Sequence, residues 1–320
     1  MKKTELIKEV KSKIETLTYE GIDEAINLVK EYGSVDFFDT FLGDLQLRCD
    51  RYNSDHVCSE AKFFNRGKRV MASHFTYRAL LGLVNIACEG SKAYDFRSKM
   101  KKINLIGHIW QDGNAYGGNV DLKYLTNFES ITEIRIEEAG TISNLDLINS
   151  FKNVNSFSIC GPLSSLDNLA YSLRNNPLIS TKLSLPIINL ESSSLENLSL
   201  ECVEDIENLQ FIGGLKNFKK LSILSSQIKS FKGIPTSIEN FSYKPSIFND
   251  SINDSEFETL RNLNKLHTLE IESKNSDFSF LADLLLNLML GQRTIRKTLL
   301  LPSQSNLVLV YALLSPLFYP

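Results

Sequence analysis

One short frame of apolar residues recurs along the second part of this chain, and it limits the folds open to it. Ile131-x-x-Ile134-x-Ile136 returns 23 residues later as Val154-x-x-Phe157-x-Ile159. The frame reappears as Leu195-x-x-Leu198-x-Leu200 and, after another 23 residues, as Phe218-x-x-Leu221-x-Ile223. It then recurs after 20 residues as Ile238-x-x-Phe241-x-Tyr243 and after 28 as Leu266-x-x-Leu269-x-Ile271. The fourth and sixth positions are two residues apart, so they share one side of an extended strand. A strand of this length cannot bury that side alone; the next unit must cover it, which predicts a stack of coils.

Between the frames, apolar residues recur about every third position, as in Ile142, Leu145, Ile148 and Phe151. This pattern, over roughly residues 103–301, resembles the leucine-rich repeat family, whose unit is an L-x-x-L-x-L strand and a looser return. The resemblance implies an α/β solenoid, a horseshoe of about eight coils with short parallel strands, and recognition of another protein on its concave face. The chain departs from the family at the ninth frame position, where Asn or Cys is usual. Ala139, Pro162, Val203 and Ser226 stand there. Leu183-x-Leu185 lies only 15 residues before Leu198, and Leu299-x-Leu301 lies 30 beyond Leu269. At least one skipped or distorted coil is therefore expected around residues 173–195.

Composition changes near residue 102. Of 47 leucines, 9 lie in residues 1–100, and residues 1–102 carry 18 Lys+Arg against 15 Asp+Glu, whereas the remainder carries 17 against 23. A domain boundary is expected there, with an N-terminal domain over 1–102 and the repeats over 103–320. The first part reads as helices: Leu6, Ile7, Val10, Ile14 and Leu17 keep helical spacing, as do Ile22, Ala25, Ile26, Leu28 and Val29 before Gly33. Phe37, Phe38, Phe41, Leu42 and Leu45 continue the pattern, and residues 74–87 form one more apolar helix. Such paired helices resemble HEAT-type repeats, which implies an all-α N-terminal domain acting as a cap. Residues from about 278 to 320, with Leu281–Leu290 and Leu307–Phe318, would close the far end.

The greasy stretches near residues 278–290 and 306–320 fall short of the roughly 20 apolar residues that cross a bilayer. A charged start without an unbroken apolar run, and an odd set of five cysteines without paired spacing, point to the cytoplasm. A net charge of -3 gives no general pull towards nucleic acid or membrane. No metal is expected, because Cys49, His56, Cys58, His74 and Cys88 lack the paired spacing of zinc ligands. No catalytic residue and no cofactor are assigned: neither G-x-S-x-G nor H-E-x-x-H occurs, and the glycine-rich stretch 107–119 lacks the Gly-Lys-Ser/Thr of a phosphate loop.

The expected function is non-enzymatic recognition of a protein partner, with no membrane and no nucleic acid. In the frame, positions three, five and seven face solvent. They offer Glu133, Arg135 and Glu137; Asn197, Ser199 and Glu201; Lys220 and Ser222; Asn240, Ser242 and Lys244; and Thr268, Glu270 and Glu272. Acidic rungs thus stand at both ends with lysines between, a pattern suited to steering a partner. Trp110 and Tyr116 are candidates for a contacting loop, being residue types that anchor interfaces. The alternative is nucleic-acid binding by the basic N-terminal domain, centred on Lys62 to Arg69, with the solenoid as scaffold.

Overall fold

The computed structural model describes residues 1–49, 55–64, 73–111, 114–137, 139–161, 190, 194–203, 206–226, 228–245, 252, 254–273, 294–299 and 308–312. They form two compact units, Met1–Leu147 and the described residues from Ile148 onward. The expected caps at 281–290 and 313–318 and the basic stretch at 65–69 lie outside the described residues.

In the first unit, helix α1 (Lys3–Ile14) buries Leu6, Val10 and Ile14, and α2 (Tyr19–Tyr32) buries Ile22, Ala25, Ile26 and Val29. Leu17, read as part of the first helix, lies beyond its end at a φ of +52° and is exposed. Thr18 caps α2, its hydroxyl accepting from Gly21 N at 3.1 Å, and Ser34 caps α3 (Val35–Leu42) in the same way. Two departures from the sequence reading follow. Helix α3 stops at Leu42, because Gly43 turns the chain at a φ of +62°. Leu45 therefore belongs to a strand, β1 (Leu45–Cys49), which pairs antiparallel with β2 (Asp55–Ser59). The N-terminal region is thus not all-α. Its alternation Leu45-Gln46-Leu47-Arg48 has the period of a strand, and helical periodicity could not be continued through it. Helices α4 (Ser73–Asn85) and α5 (Lys92–Lys99) complete the helical part. Among the described residues, no helix is long and apolar enough to cross a membrane.

The compositional break at residue 102 falls inside this unit, where helix gives way to strand. Strand β3 (Lys102–Ile106) is followed by the ribbon β4 (His108–Gln111) and β5 (Asn114–Gly117), then β6 (Asn119–Asp121), β7 (Glu133–Glu137) and β8 (Thr141–Ser143). Strands β3 and β7 are parallel, with Ile103 opposite Ile134 and Leu105 opposite Ile136. The frame therefore begins one rung earlier than the sequence pattern suggested, as Met100-x-x-Ile103-x-Leu105, all three buried.

The second unit carries β9 (Ser156–Cys160), β10 (Asn197–Glu201), β11 (Lys220–Ser226), β12 (Asn240–Pro245), β13 (Thr268–Ser273), β14 (Thr294–Leu299) and β15 (Val308–Ala312). Each strand from β9 to β14 lies parallel to the next, in the register Phe157–Leu198–Leu221–Phe241–Leu269–Ile295. From β9 to β13 this is the fourth frame position throughout, and the fourth and sixth positions are buried at every rung. Strand β15 reverses direction and pairs antiparallel with β14.

Two irregularities are resolved by this register. Strands β9 and β10 are direct neighbours although Phe157 and Leu198 are 41 residues apart, and Leu183-x-Leu185 lies outside the described residues. After β13 the next rung aligns on Ile295, with Lys297 opposite Ile271, and not on Leu299-x-Leu301. The mismatch hid this rung from a search for paired apolar positions.

Successive coils share a repeated hydrogen-bond device. The carbonyl of the second frame position accepts two backbone N–H groups of the next coil. Asn155 O takes Glu196 N and Asn197 N at 2.9 Å each, and Glu196 O takes Lys219 N and Lys220 N at 2.8 and 2.9 Å. Lys219 O and Glu239 O repeat it. Serine just before the frame adds a second link: Ser194 Oγ donates to Val154 O at 2.8 Å and Ser237 Oγ to Phe218 O at 2.7 Å. At the ninth position, buried Ser226 does what the family's Asn would do. Its hydroxyl accepts from Val203 N at 3.0 Å and lies 2.9 Å from Leu224 O.

Leu198→Ala should cost about 2–5 kcal/mol in urea unfolding, as other buried leucine truncations do. Ser226→Ala should cost about 1–3 kcal/mol, because it orphans a buried N–H. Ser199→Ala, on the half-exposed face, should stay within about 0.5 kcal/mol of the parent. Equal effects for Ser226 and Ser199 would contradict the ladder role.

Candidate functional site

Strand alternation places the predicted contact residues of the second unit on one face. Asn197, Lys220, Asn240 and Thr268 form one row across β10–β13, and Ser199, Ser222, Ser242 and Glu270 the next. Glu201 and Lys244 share the next register position, both opposite Leu224, and Glu272 occupies the matching frame position in β13, opposite Thr298. The floor of this face is three hydroxyls wide before the first charge. Much of the charge is already used within the ladder. Glu270 pairs with Lys244 at 3.0 Å and accepts from Ser242 Oγ at 3.0 Å. Among the described residues, Lys220 and Glu201 have no such partner.

Glu133, Arg135 and Glu137 lie on β7 in the first unit. Glu133 is tied to Lys102 at 2.7 Å, and Arg135 to Glu137 at 2.8 Å. Of the acidic residues read from the sequence, Glu133 and Glu270 are thus offset by lysines of neighbouring strands and Glu137 by the arginine of its own strand. Screened and half-exposed, such pairs hold side chains in place more than they add stability.

Trp110 and Tyr116 sit in the ribbon β4–β5, Trp110 opposite Ala115 and Tyr116 opposite Ile109. Those register positions belong to opposite faces of a two-stranded ribbon. The ribbon is an excursion with a closed base: Gly118 N donates to Gly107 O at 2.5 Å and Gly107 N to Glu137 O at 2.8 Å. A Cβ on Gly107 would lie 2.5 Å from Ala139 Cα, so only glycine allows this close approach. The sequence signal for the ribbon was Asp112-Gly113 between two short runs, a hairpin signature.

Sequence patterns missed a second site, a cleft of about 360 Å³ in the first unit, between α2, α4 and the turn after β6. Its floor is Ile26, Ile86 and Tyr124, with Gly82 letting α4 approach. A Cβ on Gly82 would collide with Ile26 and stand 3.1 Å from Tyr124 Cδ1. One wall is a dense polar node. Asp23 Oδ1 accepts from Tyr124 Oη at 2.5 Å and Oδ2 takes Lys123 Nζ at 2.9 Å. Behind it, buried Arg78 pairs with buried Asp121 at 3.4 Å and donates to Asn119 O at 2.7 Å. Its guanidinium lies 4.4 Å from the Tyr19 ring centroid and 4.8 Å from that of Tyr124. Burial, then the bond to Asp23, pushes the Tyr124 phenol up to about 12. Burial pushes the Asp23 carboxyl up, but the hydrogen bonds from Lys123 and Tyr124 outweigh it and hold it below its usual range. Contacts about a hundred residues apart in sequence leave no local pattern to find.

No family model matches the chain, and no curated protein matches it. Two solved structures from Listeria monocytogenes str. 4b F2365 are similar to it. An internalin (inlF) is 17% identical over 58% of this chain and 59% of its own, with a TM-score of 0.32. An internalin C2 (inlC2) is 16% identical over 64% of this chain and 88% of its own, with a TM-score of 0.37. The chain spans 59% of the first internalin's length. The second unit is leucine-rich-repeat-like on its own geometry: one short parallel strand per frame, with positions four and six buried in register.

Because the folded Asp23 pKa is depressed, its stabilisation is present above the unfolded carboxyl pKa and is lost as pH falls through the folded value. Acid should therefore destabilise the parent more steeply than Asp23→Asn, measured as the slope of unfolding free energy against pH below about 4. Parallel slopes would show that the node does not hold Asp23 ionised. Arg78→Met removes the buried cation of the pair and leaves Asp121 to Lys123 Nζ at 3.5 Å, Lys123 N at 3.0 Å and Asn144 Nδ2 at 2.7 Å, so it should cost about 3 kcal/mol, the low end for breaking a buried pair.

Proposed function

We propose that this chain is a non-enzymatic recognition protein that binds another protein on the polar strand face of its second unit. The carrying observation is the in-register array Asn197–Glu201, Lys220–Ser222, Asn240–Lys244 and Thr268–Glu270. Four neighbouring strands present half-exposed or exposed polar side chains on a frame whose other side is packed. In the leucine-rich-repeat reading this face is the concave side, and the helical N-terminal region, read as HEAT-type pairs, caps the repeats. The odd cysteine set fits work in the cytoplasm. Uncompensated Lys220 and Glu201 set orientation and encounter rate, as interfacial charges do.

The paired reversal Lys220→Glu with Glu201→Lys is the cleanest probe, because neither residue has a partner in the ladder. It should weaken capture of the partner from native lysate at least several-fold while leaving the melting temperature within a few degrees. Glu270→Lys is a harsher variant, since it sets two ammonium groups side by side and should also lower stability. Nuclease treatment of the lysate separates the readings: capture that disappears with nuclease would move the function to nucleic acid. Capture indifferent to the reversal would move it off this face.

A further inference from the structure

The cleft of the first unit contains polar groups that the fold does not consume. Asp23, Lys123, Tyr124 and Asn85 are engaged with one another or with backbone: Asn85 Nδ2 donates to Lys123 O at 3.3 Å and its Oδ1 accepts from Asn127 N at 2.9 Å. Three groups on the lining stay available. Lys30 and Asn27, both exposed and three residues apart on α2, have no partner among the described residues. The amide nitrogen of Asn127 donates to Asn85 O at 2.9 Å, which leaves its carbonyl oxygen as an acceptor. These groups line the cleft together with the apolar surfaces of Ile26, Ile86 and the Tyr124 ring. Formal charges on the lining are Asp23 against Lys30 and Lys123, an excess of one positive charge.

A complementary ligand has four properties. It carries an apolar group for the floor, a carboxylate for the Lys30 ammonium, a carbonyl for the Asn27 amide and an N–H for Asn127 Oδ1. An acylated amino acid with an apolar side chain and a free α-carboxylate has all of them on adjoining atoms. We propose that this cleft binds such an end group, either as a free N-acyl amino acid or as the C-terminus of a peptide. The volume, near the lower end of the roughly 300–1,000 Å³ typical of ligand sites, suits one residue and its acyl group. This site is independent of the strand face.

The test titrates the full chain with N-acetyl-L-leucine, N-acetyl-L-leucinamide, a pentapeptide ending in leucine and its amidated form, read by nitrogen–proton NMR. Saturable shifts are expected for at least one acid, with the side-chain amides of Asn27 and Asn127 moving. The matching amide should bind about tenfold or more weakly, the loss of one charge-assisted bond. Lys30→Gln should weaken the acid by a similar factor and leave the amide unchanged. Ile86→Trp, which fills the cleft from a half-exposed position, should abolish both without lowering the melting temperature. Binding by the pentapeptide alone assigns a peptide terminus, and binding by N-acetyl-L-leucine alone assigns the free acid. Acid and amide binding equally, an acid indifferent to Lys30→Gln, or no saturable shift for either acid overturns the proposal. None of these outcomes bears on capture by the strand face.

Discussion

A coil of this repeat cannot bury its own inward pair, and this constraint organises both units. Positions four and six of each frame are large and apolar, Phe241 and Tyr243 in β12 for example, and they are buried only because flanking strands and returns cover them. The first rung, Met100, Ile103 and Leu105, has the same need on its outer side. Within the first unit the helices and the first coil are joined by groups that cannot be separated cheaply. Arg78 of α4 bonds Tyr124 Oη, Asn119 O and Asp121 at once, with the Tyr19 and Tyr124 rings on its faces. Each of the three guanidinium nitrogens has a partner, and such added hydrogen bonds are the condition under which a buried ion pair is tolerated. Arg97 adds a quieter link, its guanidinium donating to Val84 O and Asn85 O, the last carbonyls of α4.

The second constraint concerns the backbone between coils. Strand steps range from 20 to 41 residues, so the returns cannot repeat one geometry. What stays constant is the entry to each strand, where one carbonyl accepts two N–H groups of the next coil. Serine before the frame secures that entry at Ser194 and Ser237, on the side opposite to the family's usual ninth-position asparagine. A short hydroxyl can bond the carbonyl beside it whatever the length of the return that follows. Such a chain can therefore lose the asparagine ladder at Ala139 and Val203, both buried apolar residues, and retain its register.

The frame was legible because its period-two core sits at nearly regular intervals, and burial follows the same alternation. Legibility failed where residue type and position disagree. Met100 opens a frame amid lysines, and Lys297 stands opposite Ile271 in β14, so neither the rung of β3 nor that of β14 repeats the full aliphatic frame. The hairpin β1–β2 was hidden by helical spacing that runs by accident from Phe37 into Leu45. Position zero was overlooked although Ser130, Asn153, Ser194, Asn217 and Ser237 precede five of the six frames. Of the candidate sites, the strand face could be read from alternation alone. Its ion pairs could not, because Lys244–Glu270 and Lys102–Glu133 depend on which strands become neighbours. The cleft was wholly illegible, since Asp23 and Tyr124 meet only after α2 docks on the first coil.

The two surfaces differ in the energy they can deliver. Among the outward positions of β10–β13 none is aromatic, and the row through Ser199, Ser222 and Ser242 is made of small side chains. Interfaces draw most of their affinity from a few well-packed aromatic or arginine anchors, and a hydroxyl floor supplies none of its own. A partner for this face must therefore bring the anchors, and the small rungs give them room to approach the backbone. Charge from Lys220 and Glu201 then acts mainly on encounter and orientation, because both stay in contact with water. In the proposed recognition, this face would contribute selectivity over a wide area rather than affinity at a point. Concentrated affinity requires enclosure, and the cleft of the first unit, with an apolar floor, a spare ammonium and two amides, is the place where this chain supplies it.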